Sequence, residues 1–414
     1  MCRIVERECV CGRMREEDAV PVGVQATAAS AAVSKARCWR IGYFDTSPFE
    51  RNKSHQEEEE EEEDVVLPPP PRPSSSSSVS AYEILAAAAV DTAMRAGKEK
   101  WTPSHRTQAR TSSPSLPTHD KTARVGDSNV PLLNRGTFAR TTSVRSVVEH
   151  FLTTMCSSDG SSPGQVVSLG AGMDALPFEL IKCGSLHANA CRFIEVDTAA
   201  IVAQKRRVLT AHAARLFPGE LINEEHDGIL RAGDVYALAV ADVMQGTHEH
   251  LRSVLSACGV KTTRPTLFIL ECVLVYWKPT DSDALLRFLA HEFCQHAALL
   301  VYEQVCPGDA YGEQMINNLE QRGCPLLGVC ETPDALAAKL MRAGWHDAGA
   351  LNMLQVWDEP KLVRSASRKR AFRLEPLDEL EEWVLIQSHY ALALATTRSL
   401  APLRQQLGFH NMRA

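Results

Sequence analysis

Four points along the chain place residues able to do chemistry directly after short apolar runs. The first is Leu169-Gly170-Ala171-Gly172-Met173-Asp174-Ala175, where two glycines allow a tight turn and let a ligand approach the backbone closely. Pro177, just beyond, suits the first turn of a helix. Taken alone, this loop fits a dinucleotide site, a shorter nucleoside site or a simple turn. The second point is Asp197, which closes Phe193-Ile194-Glu195-Val196-Asp197, 27 residues after Gly170. A carboxylate there can accept hydrogen bonds from both hydroxyls of a ribose. The third is Asp242-Val243, an acceptor for an adenine amino group beside an apolar side chain for its ring. The fourth is Glu271, which ends the apolar run Ile269-Leu270. Each acid by itself reads equally as a helix cap or a solvated loop residue. Their succession at the ends of consecutive runs points to a ligand that contains a nucleoside.

Charge narrows that ligand. A dinucleotide carries an anionic pyrophosphate and wants backbone N–H groups and cations, whereas S-adenosylmethionine carries a sulfonium and an ammonium. Acid-rich ends favour the second. The carboxylate of S-adenosylmethionine still needs a cation, and Lys35 and Arg140, both ahead of the first apolar run, are the candidates.

The elements that must hold these residues follow from periodicity. Apolar runs at 166–169, 192–196, 236–241, 266–270 and 298–303 alternate with helical stretches at 177–183, 199–216, 247–257 and 280–295. Continuous apolar runs separated by helices mark buried parallel strands. The predicted fold is therefore α/β, a doubly wound, mostly parallel sheet, in which ligands bind outside the carboxyl ends of the strands. A helix at 334–343, a run at 345–354, a helix at 378–387 and a run at 389–395 add two further strands at one edge.

Composition sets the limits of this domain. The 414 residues carry a formal charge of −7, but residues 57–64 are eight consecutive acids, which leaves 43 acids against 44 bases elsewhere. A near-neutral remainder argues against a nucleic-acid or membrane-surface binder. Residues 53–128 hold the acidic run, four prolines at 68–71, five serines at 74–78 and a Ser/Thr/Pro/Arg stretch. They read as a low-complexity disordered insertion, with at most a transient helix in the Ala-rich patch at 82–94. The boundaries that follow are a disordered N-terminus over 1–23, one domain made of 24–52 and 129–398, and a tail over 399–414. Thirteen cysteines at irregular spacing form no disulfide ladder, and Cys9-Val10-Cys11 lacks the second pair of a zinc site. Free thiols, no secretory leader and no apolar run of about 18 residues indicate a cytoplasmic protein with no metal and no membrane span.

Several stretches resemble the leucine carboxyl methyltransferase family. They are residues 24–44 with Lys35 and Ile41-Gly42-Tyr43; Asn134-Arg135-Gly136-Thr137-Phe138-Ala139-Arg140; 167–174; 193–197; 266–276; and Tyr302-Glu303-Gln304-Val305 continuing to Gly328-Val329. The resemblance implies a class I, Rossmann-like methyltransferase with N-terminal helical additions. It also implies S-adenosylmethionine as cofactor and methyl esterification of the C-terminal leucine of the protein phosphatase 2A catalytic subunit, a step that regulates assembly of the phosphatase. The partner would be met at its tail and its active-site face by a monomeric enzyme. The matching positions imply cofactor contacts from Lys35, Arg140, Gly170, Asp197, Asp242, Val243 and Glu271. Arg140 is further assigned to orient the substrate carboxylate, Tyr276 and Tyr302 to line the transfer path, and the helices before the first strand together with residues 315–329 to wall the leucine pocket. The chain departs from the family at Thr137, where an aromatic is usual, and at Met244-Gln245, where Arg-Asp is usual.

Three alternatives share this fold. A related branch methylates a carboxyl on a wybutosine-type tRNA base, but its repeat propeller and the basic surface of an RNA binder are missing here. A nicotinamide-dependent dehydrogenase fits the glycine loop alone. An inactive phosphatase-binding protein would have lost cofactor positions that this chain keeps.

Overall fold

The computed structural model describes residues 22–44, 80–96, 131–155, 164–186, 191–224, 228–244, 247–378 and 380–409. Its strands are β1 (Gly164–Leu169), β2 (Cys191–Asp197), β3 (Ile222–Glu224), β4 (Leu230–Ala232), β5 (Tyr236–Val240), β6 (Thr266–Glu271), β7 (Ala297–Gln304), β8 (Asp347–Asn352) and β9 (Tyr390–Thr396). They form one sheet in the order β3-β4-β5-β2-β1-β6-β7-β9-β8. The five strands from β5 to β7 are parallel, and β9 runs antiparallel between β7 and β8. The chain leaves β1 toward β2 and β5, then returns to build β6 and β7 on the other side. Strand order therefore reverses between β1 and β6, where a ligand crevice is expected in such a sheet.

The apolar runs become central strands because both faces are covered. Val166 of β1, Phe193 of β2 and Leu238 of β5 face one core, while their neighbours Val167, Ile194 and Ala237 face the other. On the first face lie α1 (Val22–Ile41), α2 (Ala81–Ala96), α3 (Pro131–Met155), α4 (Leu176–Lys182) and α5 (Ala199–Ala211), joined by the short α6 (Ala213–Leu216). On the second lie α7 (His248–Ala257), α8 (Pro279–Glu292) and, beyond α9 (Ala310–Gln321), α10 (Pro333–Arg342). The C-terminal part adds α11 (Met353–Asp358), α12 (Ser365–Leu374), α13 (Leu380–Ser388) and α14 (Ala401–Gln406).

The structure corrects the expected boundaries in two places. The segment read as a disordered insertion contains α2, whose Tyr82, Leu85 and Ala89 are buried against α1 and α5. Ser80 and Glu83 cap it reciprocally: Glu83 N–H donates to Ser80 Oγ at 3.2 Å and Ser80 N–H to Glu83 Oε2 at 3.1 Å. Apolar burial and a capped start offset the entropy of ordering this stretch, which the averaged composition of residues 53–128 conceals. Likewise the expected tail is packed, with Leu403, Leu407 and Phe409 buried and Arg404 Nε 2.7 Å from Asp347 Oδ2 on β8. Smaller differences are the antiparallel β3 and β4, too short to show periodicity, and a break at His212 between α5 and α6. The N-terminal 1–21, the acidic run and the Cys9/Cys11 pair lie outside the described residues.

α1, α2 and α3 form the layer that reaches the carboxyl end of the sheet. Phe44 stacks on Tyr82 with ring centroids 5.5 Å apart, which joins the end of α1 to α2. The Asn134-Arg135 pair that opens the family-like stretch in α3 has a structural task. Asn134 Nδ2 and Tyr43 Oη both donate to the Glu375 carboxylate, at 2.9 and 2.8 Å, and Arg135 Nη2 donates to the Glu375 carbonyl at 2.6 Å. With these ties the start of α3 is held to the end of α12, and Arg140 five residues on is held over the sheet.

Candidate active site

Lys35 on α1 and Arg140 on α3 converge on Glu271 at the carboxyl end of β6. Lys35 Nζ lies 3.1 Å from Glu271 Oε1 and 2.8 Å from Asp174 Oδ1, and Arg140 Nε lies 2.9 Å from the same Glu271 oxygen. The Arg140 guanidinium also sits 4.6 Å over the Tyr302 ring, and Tyr302 stands opposite Glu271 in the β6–β7 register. Burial disfavours the Glu271 charge, yet the two cations hold its pKa down to about 2. Lys35 shows the converse: burial alone would lower its pKa, but Asp174 and Glu271 raise it above the ordinary value. Acidic and basic side chains thus alternate along Asp174, Lys35, Glu271 and Arg140.

Lys35, Arg140, Asp174, Glu271 and the glycine loop line an open cleft at the carboxyl end of the sheet. Gly170 has φ +70°, and a Cβ built there would stand 2.8 Å from Val273 Cγ2. A side chain at this position meets both backbone strain and the turn that follows β6. Gly170 N–H donates to the Val196 carbonyl at 2.8 Å, which fixes the loop against β2.

Of the residues singled out in the sequence, Lys35, Arg140, Gly170 and Glu271 line this cleft. Asp197 joins it indirectly. Its Oδ2 accepts from Gly172 N–H and its Oδ1 from Thr198 N–H, both at 2.7 Å, so the carboxylate faces the glycine loop. Oδ1 also accepts from Thr198 Oγ1 at 3.2 Å, so it is Oδ2 that keeps a second lone pair for a ligand hydroxyl. Burial pushes the Asp197 pKa up, and those two N–H groups oppose the rise. Asp242 follows β5, where its Oδ1 accepts from Met244 N–H at 2.9 Å, and Val243 packs on the second core. Tyr276 ends the 3-10 turn that follows β6, with a buried hydroxyl that has no partner among the described residues, and Tyr302 lies beneath Arg140. None of Asp242, Val243, Tyr276 and Tyr302 lines the cleft itself.

Two groups were missed in the sequence. Asp174 is the second partner of Lys35, 139 residues away in the chain. Lys205 on α5 is fully buried, with Nζ 2.7 Å from Glu195 Oε2 and 2.9 Å from the Asp174 carbonyl. Tyr236 Oη donates to the same Glu195 oxygen at 2.5 Å. The available signal was Glu195 itself, a charged residue inside a strand apolar on both faces, which demands a partner. Among the described residues no cluster of His, Cys, Asp or Glu could hold a metal ion.

A profile of the family described as Leucine carboxyl methyltransferase matches residues 85–290. The chain is 34% identical over 275 residues to the leucine carboxyl methyltransferase 1 homolog of Arabidopsis thaliana, which covers 65% of this chain and 79% of that protein. It is 35% identical over 278 residues to leucine carboxyl methyltransferase 1 of Bos taurus, with 64% and 78% covered. It is also 31% identical over 269 residues to tRNA wybutosine-synthesizing protein 4 of Rattus norvegicus, with 64% of this chain but only 38% of that protein covered.

Proposed function

The chain belongs to the leucine carboxyl methyltransferase family, and from that premise we propose that it transfers a methyl group from S-adenosylmethionine to the α-carboxylate of a C-terminal leucine. The substrate in this reading is the tail of the protein phosphatase 2A catalytic subunit, met in the cytoplasm. The observation that supports it best is the alternating charge set Asp174, Lys35, Glu271 and Arg140 laid over the glycine loop at the point where strand order reverses.

The residues present suit S-adenosylmethionine. Gly170 leaves no room for a side chain between the loop and Val273, so a ligand meets bare backbone there. Asp197 Oδ2 keeps acceptor capacity for a ribose hydroxyl. Lys35 and Arg140 suit a carboxylate, and Asp174 and Glu271 suit an ammonium and a sulfonium. The amino-acid end of S-adenosylmethionine, an ammonium and a carboxylate, exchanges one ion-pair partner for another on entering this set, which limits the desolvation cost. Bound here, S-adenosylmethionine supplies an electrophilic methyl group on positively charged sulfur.

The acceptor needs little activation. An α-carboxyl group has a reference pKa of roughly 3.3 to 3.7, so it is ionised at neutral pH and no residue has to remove a proton. Glu271, held near 2, has no proton to give. The remaining work is orientation and exclusion of water, which favours a reaction that turns an anion and a cation into neutral products. Arg140, braced by Glu271 and the Tyr302 ring, is suited to orient the incoming carboxylate; Tyr302 and Tyr276 keep a transfer-path role in this proposal although neither lines the cleft itself.

The test is transfer of label from methyl-labelled S-adenosylmethionine to the phosphatase catalytic subunit. Base-labile label that disappears when the terminal leucine is deleted supports the proposal. Label that survives the deletion, or that moves to tRNA in a parallel incubation, overturns it.

A further inference from the structure

The turn that carries Glu271 is held in an unfavourable backbone conformation. Cys272, the next residue, has φ +56°, and it is the one non-glycine with positive φ among the described residues. An L residue pays for that conformation, and such strain persists only where surrounding structure enforces it. The enforcement comes from two adjacent residues of β7. The Tyr302 carbonyl accepts from Cys272 N–H at 2.7 Å, and Glu303 Oε1 accepts from the next two, Val273 N–H at 3.0 Å and Leu274 N–H at 2.7 Å. Three consecutive backbone donors are thereby aimed at one strand end.

Glu303 is a costly residue for a merely structural position. It is 2% exposed, and among the described residues its Oε2 has no partner within hydrogen-bond distance and no cation pairs with it. Lys339, whose charge reaches it, is held instead by Ser282 and Asp283. A buried carboxyl group without an ion pair is retained against the tendency of cores to exclude it. Hydrogen bonds from the turn's N–H groups, those of Val273 and Leu274 and a weaker one from Val275, are what it gains. Their consequence is felt on both sides of the cleft, because the turn presents Glu271 to Lys35 and Arg140, and Val273 within it abuts Gly170.

We infer that Glu303 is a positioning residue of the methyl-donor site: its carboxyl oxygen clamps the strained turn at Cys272, and through that turn sets both the Glu271 carboxylate and the wall behind the glycine loop. The inference rests on the proposed function for the identity of the ligand. Glu303 touches neither ligand nor reacting atoms in this role. A side chain that retains the acceptor oxygen should serve, and relief of the strain at residue 272 should make the clamp less necessary.

The test measures S-adenosylmethionine binding by calorimetry, with thermal unfolding of the same samples, for the full chain and for Glu303→Gln, Glu303→Leu and Glu303→Leu/Cys272→Gly. Loss of a buried acceptor predicts roughly tenfold to hundredfold weaker binding for Glu303→Leu, and about threefold or less for Glu303→Gln. The double variant should recover at least about tenfold of the loss, since glycine adopts the positive φ without cost. Undiminished affinity in Glu303→Leu, or a loss that Cys272→Gly leaves untouched, overturns the inference. Where Glu303→Leu does not fold, folding regained in the double variant supports the clamp and a double variant that stays unfolded sinks it. Failure of the unsubstituted chain to bind S-adenosylmethionine strikes the functional reading instead; the clamp is then judged from unfolding temperatures, where Cys272→Gly must offset the Glu303→Leu loss.

Discussion

Glu271 and Glu303 flank one turn and titrate in opposite senses, which makes their contributions to stability separable by pH. The folded-state pKa of Glu271 is depressed, to about 2, by Arg140 and Lys35 acting against burial. Its stabilisation is therefore present above the unfolded value of roughly 4.3 and lost as pH falls toward 2. Glu271→Gln leaves two buried cations short of a partner and should cost about 3 kcal/mol at neutral pH. In urea titrations that difference should hold from pH 8 to pH 5 and shrink below pH 4; a constant difference down to pH 2.5 refutes the ion-pair account. Burial raises the Glu303 pKa to about 7. Its contribution is fully present below roughly pH 4.3 and is lost as pH rises through 7, so Glu303→Gln should gain on the parent by about 3 kcal/mol between pH 5 and pH 9. No change in their relative stability across that interval contradicts a carboxyl group that ionises against burial. Glu271, Gly170, Lys35 and Arg140 were legible in the sequence because they end apolar runs, open a turn or fall in a family-like stretch. Asp174 and Glu303 were in view as residues, but their roles were not, because a partner 139 residues away or a backbone N–H on the neighbouring strand leaves no spacing signal.

At the level of elements, α2 shows where reading by composition fails. The acidic, proline and serine runs dominate any average over residues 53–128, yet Ser80-Ala81-Tyr82-Glu83 is a capping-box pattern ahead of an apolar stretch. Glu179 on α4 adds a second tie by accepting from Ala81 N–H at 2.9 Å. Helix α2 is therefore part of the layer that supports α1 and, with it, Lys35. Leu85→Ala, at a fully buried position, should destabilise the protein by about 2 to 4 kcal/mol in denaturant unfolding. A change below about 0.5 kcal/mol, the range of surface substitutions, means that the helix is not docked. The central strands, by contrast, were readable because each is an uninterrupted apolar run covered on both faces. β4 is fixed by pairing with β5, and β3 by pairing with β4, not by any pattern of their own in three residues apiece.

On the scale of the whole molecule, the cleft is assembled from parts of the chain far apart in sequence. The sheet supplies the glycine loop and Glu271, while α1 supplies Ala31, Ala32 and Lys35 as the opposite wall. Helix α1 is held to the domain by aromatic contacts near its end and by the buried face of Ala32, Ala36 and Cys38. A wall attached in this way should open locally more often than the central strands, and a ligand that bridges it to the sheet should suppress the opening. S-Adenosylmethionine at a hundredfold excess over its dissociation constant adds about 2.7 kcal/mol of apparent stability. Hydrogen exchange should show the local share of that gain in the amides of residues 31–35 and 170–174, and less in β7 and β9, which open only globally. Lys35→Met should keep the protection at 170–174 and lose it at 31–35, because the charge that links the wall to Asp174 and Glu271 is gone. Protection confined to the glycine loop in the unsubstituted protein refutes α1 as part of the binding wall, and leaves the Lys35 ion pairs as a structural tie only.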